Sequence, residues 1–175
     1  MRVSLVFTFI SDDHPGVIED ISRTVADHGG NWLESEMCQL AGKFAGIIRV
    51  NAPEQNIHRL GNALQQHSAK GLKITLEQGA NEQPEKTVAQ LLTLSIIGLD
   101  RPGILHEVTF ALAEHSINIS QMSTELTHAP MAGEALFNAN ARIEVPESVN
   151  LQVLQEQLES VANALTVDIA LENSE

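Results

Sequence analysis

The sequence predicts an α+β fold in which one βαββαβ unit occurs twice. Three observations carry that expectation. Asp13-His14-Pro15-Gly16-Val17-Ile18 returns as Asp100-Arg101-Pro102-Gly103-Ile104-Leu105, 87 positions later. The same register holds without a gap to Asn31 and Asn118, with six identities in 19 pairs: Asp13/Asp100, Pro15/Pro102, Gly16/Gly103, Ala26/Ala113, His28/His115 and Asn31/Asn118. Chance would give about one, so the chain is an internal duplication. Finally, apolar residues switch between strand and helix periodicity in the same order in both halves.

Each copy opens on an apolar strand, residues 3–10 and 88–97. A polar turn and Pro-Gly follow, with proline expected in the first helical turn, where its missing N–H costs nothing. Val17, Ile18, Ile21 and Val25 then recur at helical spacing, matched by Ile104, Leu105, Val108 and Leu112. Gly29-Gly30 is a good helix stop and Ser116-Ile117 a weaker one. A hairpin comes next, 32–40 with 44–50 in the first copy and 119–126 with 136–145 in the second. The register moves there from 87 to 93, so the second hairpin holds six extra residues, a place where insertions cost little. Ile57, Leu60 and Leu64 mark the second helix of the first copy, and Leu151, Leu154 and Leu158 that of the second. Last strands at 72–77 and 166–171 close the units. The expected domains are 1–78 and 88–175, joined by a polar linker at 79–87.

Order βαββαβ with right-handed crossovers gives a ferredoxin-like unit, a four-stranded antiparallel sheet with both helices on one face. The other face and the sheet edges then need cover, which motivates an expected homo-oligomer.

Composition narrows the function. The net charge is −13, with residues 1–86 at −3 and residues 87–175 at −10. No basic stripe exists to displace phosphate counterions, so direct nucleic-acid binding is not expected. A single cysteine, Cys38, forms no internal disulfide, and the seven histidines show no HxH or HxxxH spacing. Neither a structural zinc site nor another metal or cofactor is expected. The apolar run at the start is too short for a signal peptide or membrane span, and cytoplasmic residence is the default. Glu34 and Glu36 alternate onto one strand face and read as exposed, not catalytic. No Ser/His/Asp grouping, P-loop or GxGxxG is present, so no catalytic residues are assigned and no enzyme is expected.

The β-turn-α motif Asp-x-Pro-Gly-(Ile/Val), with Asn 18 residues after the Asp, resembles the ACT domain, a small regulatory module that often binds amino acids. Gly98-Leu99-Asp100-Arg101-Pro102-Gly103-Ile104-Leu105 is a close match, and Ser11 to Ile18 a looser one. A free-standing pair of this size is similar to the glycine cleavage system transcriptional repressor family. That resemblance implies a small amino acid as ligand, glycine or serine first, and a DNA-binding regulator as protein partner. It places the ligand at the first strand-to-helix turn, often between two ACT domains. The expected ligand-binding set is Asp13, Gly16, Val17, Asn31, Asp100, Arg101, Gly103, Ile104 and Asn118. The chemistry is apt: a helix N-terminus suits an α-carboxylate, Asp an α-ammonium group, and Asn offers both donor and acceptor. Some serine-sensing members carry His two residues before the Asp position, where this chain has Ser11 and Gly98. Competing readings are plain N-cap and turn chemistry at Asp13 and Asp100, a ligand-free interaction scaffold, and a regulatory relative of a folate-linked enzyme such as formyltetrahydrofolate deformylase.

Overall fold

The computed structural model describes residues 1–77, 88–128 and 133–173. The chain divides into two compact units, Met1–Glu85 and Lys86–Glu175. The expected linker and the middle of the longer hairpin loop lie outside the described residues.

Unit 1 runs β1 (Arg2–Asp12), α1 (Val17–Asp27), β2 (Asn31–Leu40), β3 (Lys43–Pro53), α2 (Glu54–Gln66), a 3₁₀ turn (His67–Lys70) and β4 (Lys73–Glu77). Unit 2 repeats it as β5 (Val88–Leu99), α3 (Ile104–Glu114), β6 (Asn118–His128), β7 (Ala135–Pro146), α4 (Leu151–Leu165) and β8 (Val167–Asn173). Both sheets are four-stranded and antiparallel, in the orders β2-β3-β1-β4 and β6-β7-β5-β8. The ferredoxin-like arrangement expected from the sequence is therefore present in each half.

Period-two alternation along the central strand builds each core. Leu5, Phe7 and Phe9 of β1 are buried with Val17, Ile21 and Val25 of α1 and Leu60 and Leu64 of α2. In unit 2 Leu92, Leu94 and Ile96 pack with Ile104, Val108 and Leu112 of α3 and Leu154 and Leu158 of α4. The intervening residues face the helix-free side, where Ile10, Ile47, Leu91 and Ile97 remain exposed. Each unit also keeps one β-bulge at a matching place, between Trp32 and Glu34 and between Ile119 and Gln121.

Several local expectations need correction. Pro15 and Pro102 sit before their helices; the N-caps are Gly16 and Gly103, both at φ 99°. That left-handed backbone is strained for any residue with a Cβ, which is why glycine stands there. Leu105 and Leu151 do not join the buried faces: Leu105 is 36 % exposed and Leu151 38 %. Partly buried Val161, Ala162 and Leu165 complete the α4 face instead. The first hairpin turns on Ala41 and Gly42, both at positive φ, as a two-residue turn matched to strand twist demands.

The helix stops show how the duplication diverged. Gly29 leaves α1 at φ 70°, and Gly30 N–H closes on the Val25 carbonyl at 2.8 Å. Unit 2 makes the matching bond from Ile117 to the Leu112 carbonyl at 3.1 Å, but Ser116 must take the left-handed conformation at φ 57°. A non-glycine residue in that region costs roughly 1–2 kcal/mol, partly offset by the unfolded-state entropy of glycine. Ser116→Gly should stabilise unit 2 by about 0.5–1 kcal/mol, raising its melting midpoint by about 2–8 °C in circular dichroism. The fluorescence of Trp32, which reports on unit 1, should keep its midpoint; a fall in the unit 2 midpoint would refute the strain at Ser116.

Candidate functional site

The end of each central strand, the turn after it and the start of the next helix form one surface. In unit 1 the Asp13 amide donates to the Gly42 carbonyl at 3.0 Å, pinning the turn to the neighbouring hairpin. In unit 2 Asp100 does the same with Ala135 at 2.9 Å. The first helical bonds run from Asp20 to Gly16 (2.9 Å) and from Glu107 to Gly103 (3.0 Å). The amides of Val17, Ile18 and Glu19, and of Ile104, Leu105 and His106, thus have no partner within their helices. No side chain caps either helix. Asp13 and Asp100 are exposed and are not the N-caps that turn chemistry alone would make them. Nothing lies within 4 Å of where a Cβ would project from Gly16 or Gly103, so both turns are open.

Asp13, Gly16 and Val17 come together at one turn, and Asp100, Gly103 and Ile104 at the other. Arg101 is drawn away, its guanidinium donating to the Ala164 carbonyl near the end of α4 at 3.3 Å. The asparagines do not join the turns of their own units. Asn31 pairs with Asn51, which pairs with Ser4, whereas Asp13 follows the far end of β1, where Asp12 pairs with Lys43. At 3.2–3.4 Å per residue the two ends are on the order of 25–30 Å apart. Asn118 is placed likewise at the start of β6, donating to Glu144 Oε2 at 3.1 Å. Within one unit, then, the Asp of the turn and the Asn of the second strand stand at opposite ends of the sheet.

One residue outside the expected set stands out. Ser11 is 5 % exposed, on the helix-facing side of β1 in line with Phe7 and Phe9, two residues before the turn. Its buried Oγ has no hydrogen-bond partner. Leaving such a hydroxyl unpaired costs roughly 1–3 kcal/mol. The signal in the sequence was a polar residue on the inward alternation of a strand that is otherwise apolar. In unit 2 the matching place is Gly98, and no side chain fits: a Cβ would lie 2.4 Å from Val167 Cγ1. The second turn thus rests on valine where the first rests on a hydroxyl.

Charge differs too. Lys43 forms an ion pair with Asp12 beside the first turn. The Lys43 ammonium, through its hydrogen bond and its charge, holds the Asp12 carboxyl below its ordinary value of 3.8. On the helix-free face a shallow groove of about 270 Å³ is lined by Val6, Glu34, Glu36, Ile47 and Arg49. There Arg49 Nε meets Glu34 Oε1 at 2.6 Å, a close ion pair whose N–H points off the oxygen. His28 and His115 both cap the C-termini of their helices; the His28 ring Nδ1–H donates to the Thr24 carbonyl at 2.8 Å. Among the described residues no group of three or more His, Cys, Asp or Glu gathers to hold a metal, and no helix is long and apolar enough to cross a membrane.

Residues 4–77 and 92–163 each match the ACT domain. The chain belongs to the ACT-domain family. It carries two ACT units in tandem and is 19% identical over 161 residues to the glycine cleavage system transcriptional repressor of Escherichia coli (strain K12), covering 92% of this chain and 85% of that one. A crystal structure of an unknown protein from Galdieria sulphuraria superposes with a TM-score of 0.87 at 28% identity, covering 100% of both chains. A crystal structure provisionally assigned as a glycine cleavage system transcriptional repressor gives 0.75 at 19% identity, over 100% of this chain and 99% of that one. This last likeness is one of fold.

Two outcomes check the geometry of the ACT turns. Gly98→Ala should destabilise unit 2 by about 1–3 kcal/mol through overpacking, and Val167→Ala should relieve most of that loss. If the double variant is no better than the sum of the two single changes, the Gly98–Val167 contact is not the cause. For Asp12, the folded-state value is the depressed one, so its contribution is present above pH 3.8 and lost as pH falls through the lower folded value. Carboxyl NMR should find its midpoint below 3.8, and Lys43→Met should return it to about the ordinary aspartate value.

Proposed function

We propose that this chain is a non-enzymatic regulator of amino-acid metabolism, with glycine and one-carbon metabolism the first candidates. It binds a small amino acid at a strand-to-helix turn and acts through a protein partner such as a DNA-binding transcriptional regulator. The ACT family and the weak similarity to a protein named for repression of the glycine cleavage system support this reading. One observation carries the site: the buried, unpaired Ser11 hydroxyl beneath a turn that offers three helix amides and the Asp13 carboxylate.

In this reading the α-carboxylate docks on the amides of Val17, Ile18 and Glu19, and Asp13 receives the α-ammonium group. Ser11 supplies a hydrogen bond to a polar ligand atom. Unit 2, with Gly98 packed on Val167, offers no such group, so the first turn is the one that discriminates polar ligands. Asn31 is too far along the sheet to help its own turn. It takes part only when a second subunit brings its asparagine to this one, which links ligand binding to self-association. A cytoplasmic setting fits a regulator of this kind.

Titration calorimetry with glycine and serine should give saturable heat with the intact protein. Ser11→Ala should weaken serine binding by about three- to tenfold, the worth of one net hydrogen bond. The same change should leave the unliganded protein as stable as before or more so, because it removes an unpaired buried hydroxyl. Mixing Asp13→Ala with Asn31→Ala subunits should restore part of the binding that each lacks alone. A full amino-acid panel with neither heat nor thermal shift would sink the sensor and favour a ligand-free scaffold.

A further inference from the structure

The duplication places α1 and α3 in equivalent positions, and their outward sides differ in one telling respect. On α1 that side carries Glu19, Asp20, Arg23 and Asp27, and Arg23 ties it together, meeting Glu19 at 3.3 Å and pairing with Asp20. On α3 the corresponding residues are His106, Glu107, Phe110 and Glu114. Two acids are kept, Glu19 is matched by His106 and Arg23 by a phenyl ring; with His neutral both sides carry a net −2, but only α1 has a cation among its acids. Phe110 is 55 % exposed, about 160° around the helix from both Val108 and Leu112 of the buried row at ~100° per residue. The His106 ring lies beside it, the two centroids 6.4 Å apart.

Among the described residues, unit 2 has little positive charge to set against these acids. Its only Lys or Arg residues from position 87 onward are Arg101 and Arg142. Arg101 bonds to the Ala164 carbonyl, and Arg142 belongs to strand β7. The neighbouring helix α4 adds exposed Glu156 and Glu159 and no cation. Gln157 Nε2 donates to Glu114 Oε2 at 2.7 Å without neutralising its charge, and an exposed aromatic ring beside such carboxylates is complementary to a segment carrying both positive charge and apolar surface. Its Lys or Arg would take the place Arg23 holds on α1, over the ring face and beside the acids.

We propose that the outer face of α3, centred on Phe110 with Glu107 and Glu114, is the docking surface for a basic, amphipathic segment of a protein partner. The proposal rests on the reading above that the chain acts through a partner, and it names that partner's contact chemistry. None of its residues belongs to the Ser11 turn of unit 1.

The test uses the full chain and two labelled 18-residue helical peptides, one of Lys and Leu and one of Glu and Leu, read by fluorescence anisotropy. The protein should bind the Lys–Leu peptide and leave the Glu–Leu peptide free. Phe110→Arg should weaken the former at least tenfold with an unchanged melting curve, since the side chain is exposed. Ala170→Arg, adding the same charge on exposed strand β8, should weaken it less than twofold. Glu107→Gln with Glu114→Gln should weaken binding and flatten its salt dependence. Equal losses from Phe110→Arg and Ala170→Arg would overturn the proposal, because bulk charge would then explain the binding. It would also fall if Phe110→Arg abolished self-association in sedimentation while peptide binding stayed intact; a second copy would then be the occupant. Amino-acid calorimetry on Phe110→Arg keeps the two readings apart, since unchanged heat would leave the sensor standing whatever the peptides do.

Discussion

The right-handed crossover that joins β1 to β2 through α1, with β3 lying between them, decides most of what this protein can do. It forces β1 and β2 to run parallel, so both begin at one end of the sheet and both finish at the other. The Asp13 turn follows the end of β1 and Asn31 opens β2, and the length of the sheet separates them. The same crossover lays the helix over the inward side of β1, so whatever that strand turns inward near its end lies under the start of the helix. In unit 1 that residue is Ser11; in unit 2 it is Gly98 under Val167. One topological rule thus both sets Ser11 near the turn and parts that turn from the asparagine.

Much of this was legible in the sequence because periodicity, turns and repetition are local signals. The 87-residue repeat, the strand and helix order and the inward rows Leu5/Phe7/Phe9 and Leu92/Leu94/Ile96 all follow from spacing alone. What spacing does not carry is direction. Asp13 and Asn31 recur together in both copies, and the ACT resemblance puts both in one ligand set, but spacing does not say at which end of the sheet each stands. Only the parallel course of β1 and β2 shows that an 18-residue separation spans the whole unit. Leu105 misled for a related reason: it belongs to an apolar row by spacing, yet lies at the margin of the buried face. Proline misled by one turn, because the glycine after it, not the proline, takes the cap conformation at φ 99°.

Strain and unpaired groups mark where the two copies ceased to be equivalent. A left-handed Ser116 replaces a left-handed Gly29 at the helix stop, with the same closing bond retained. The net cost of about 0.5–1 kcal/mol leaves most of a domain's stability in place. The Ser11 hydroxyl is different in kind. A buried unpaired group is destabilising and an alanine would remove it, so its presence in one copy only is better explained by what it could meet than by what it packs against.

Duplication also explains how such differences could accumulate without loss of fold. Each unit closes its own apolar core, so substitution at a turn or on an outward helix face leaves the folding of its twin untouched. Arg23 against Phe110 and Ser11 against Gly98 are both of this sort, and they fall in different units. The first unit keeps a polar residue under its turn and an Arg among the acids of its helix; the second packs Val167 on Gly98 before its turn and carries an aromatic ring among the acids of its helix. A single domain carrying both features would have to evolve its ligand site and its partner surface on one small core, where a change at either is felt by the other. On the proposed reading, splitting them would let ligand affinity and partner affinity be tuned separately.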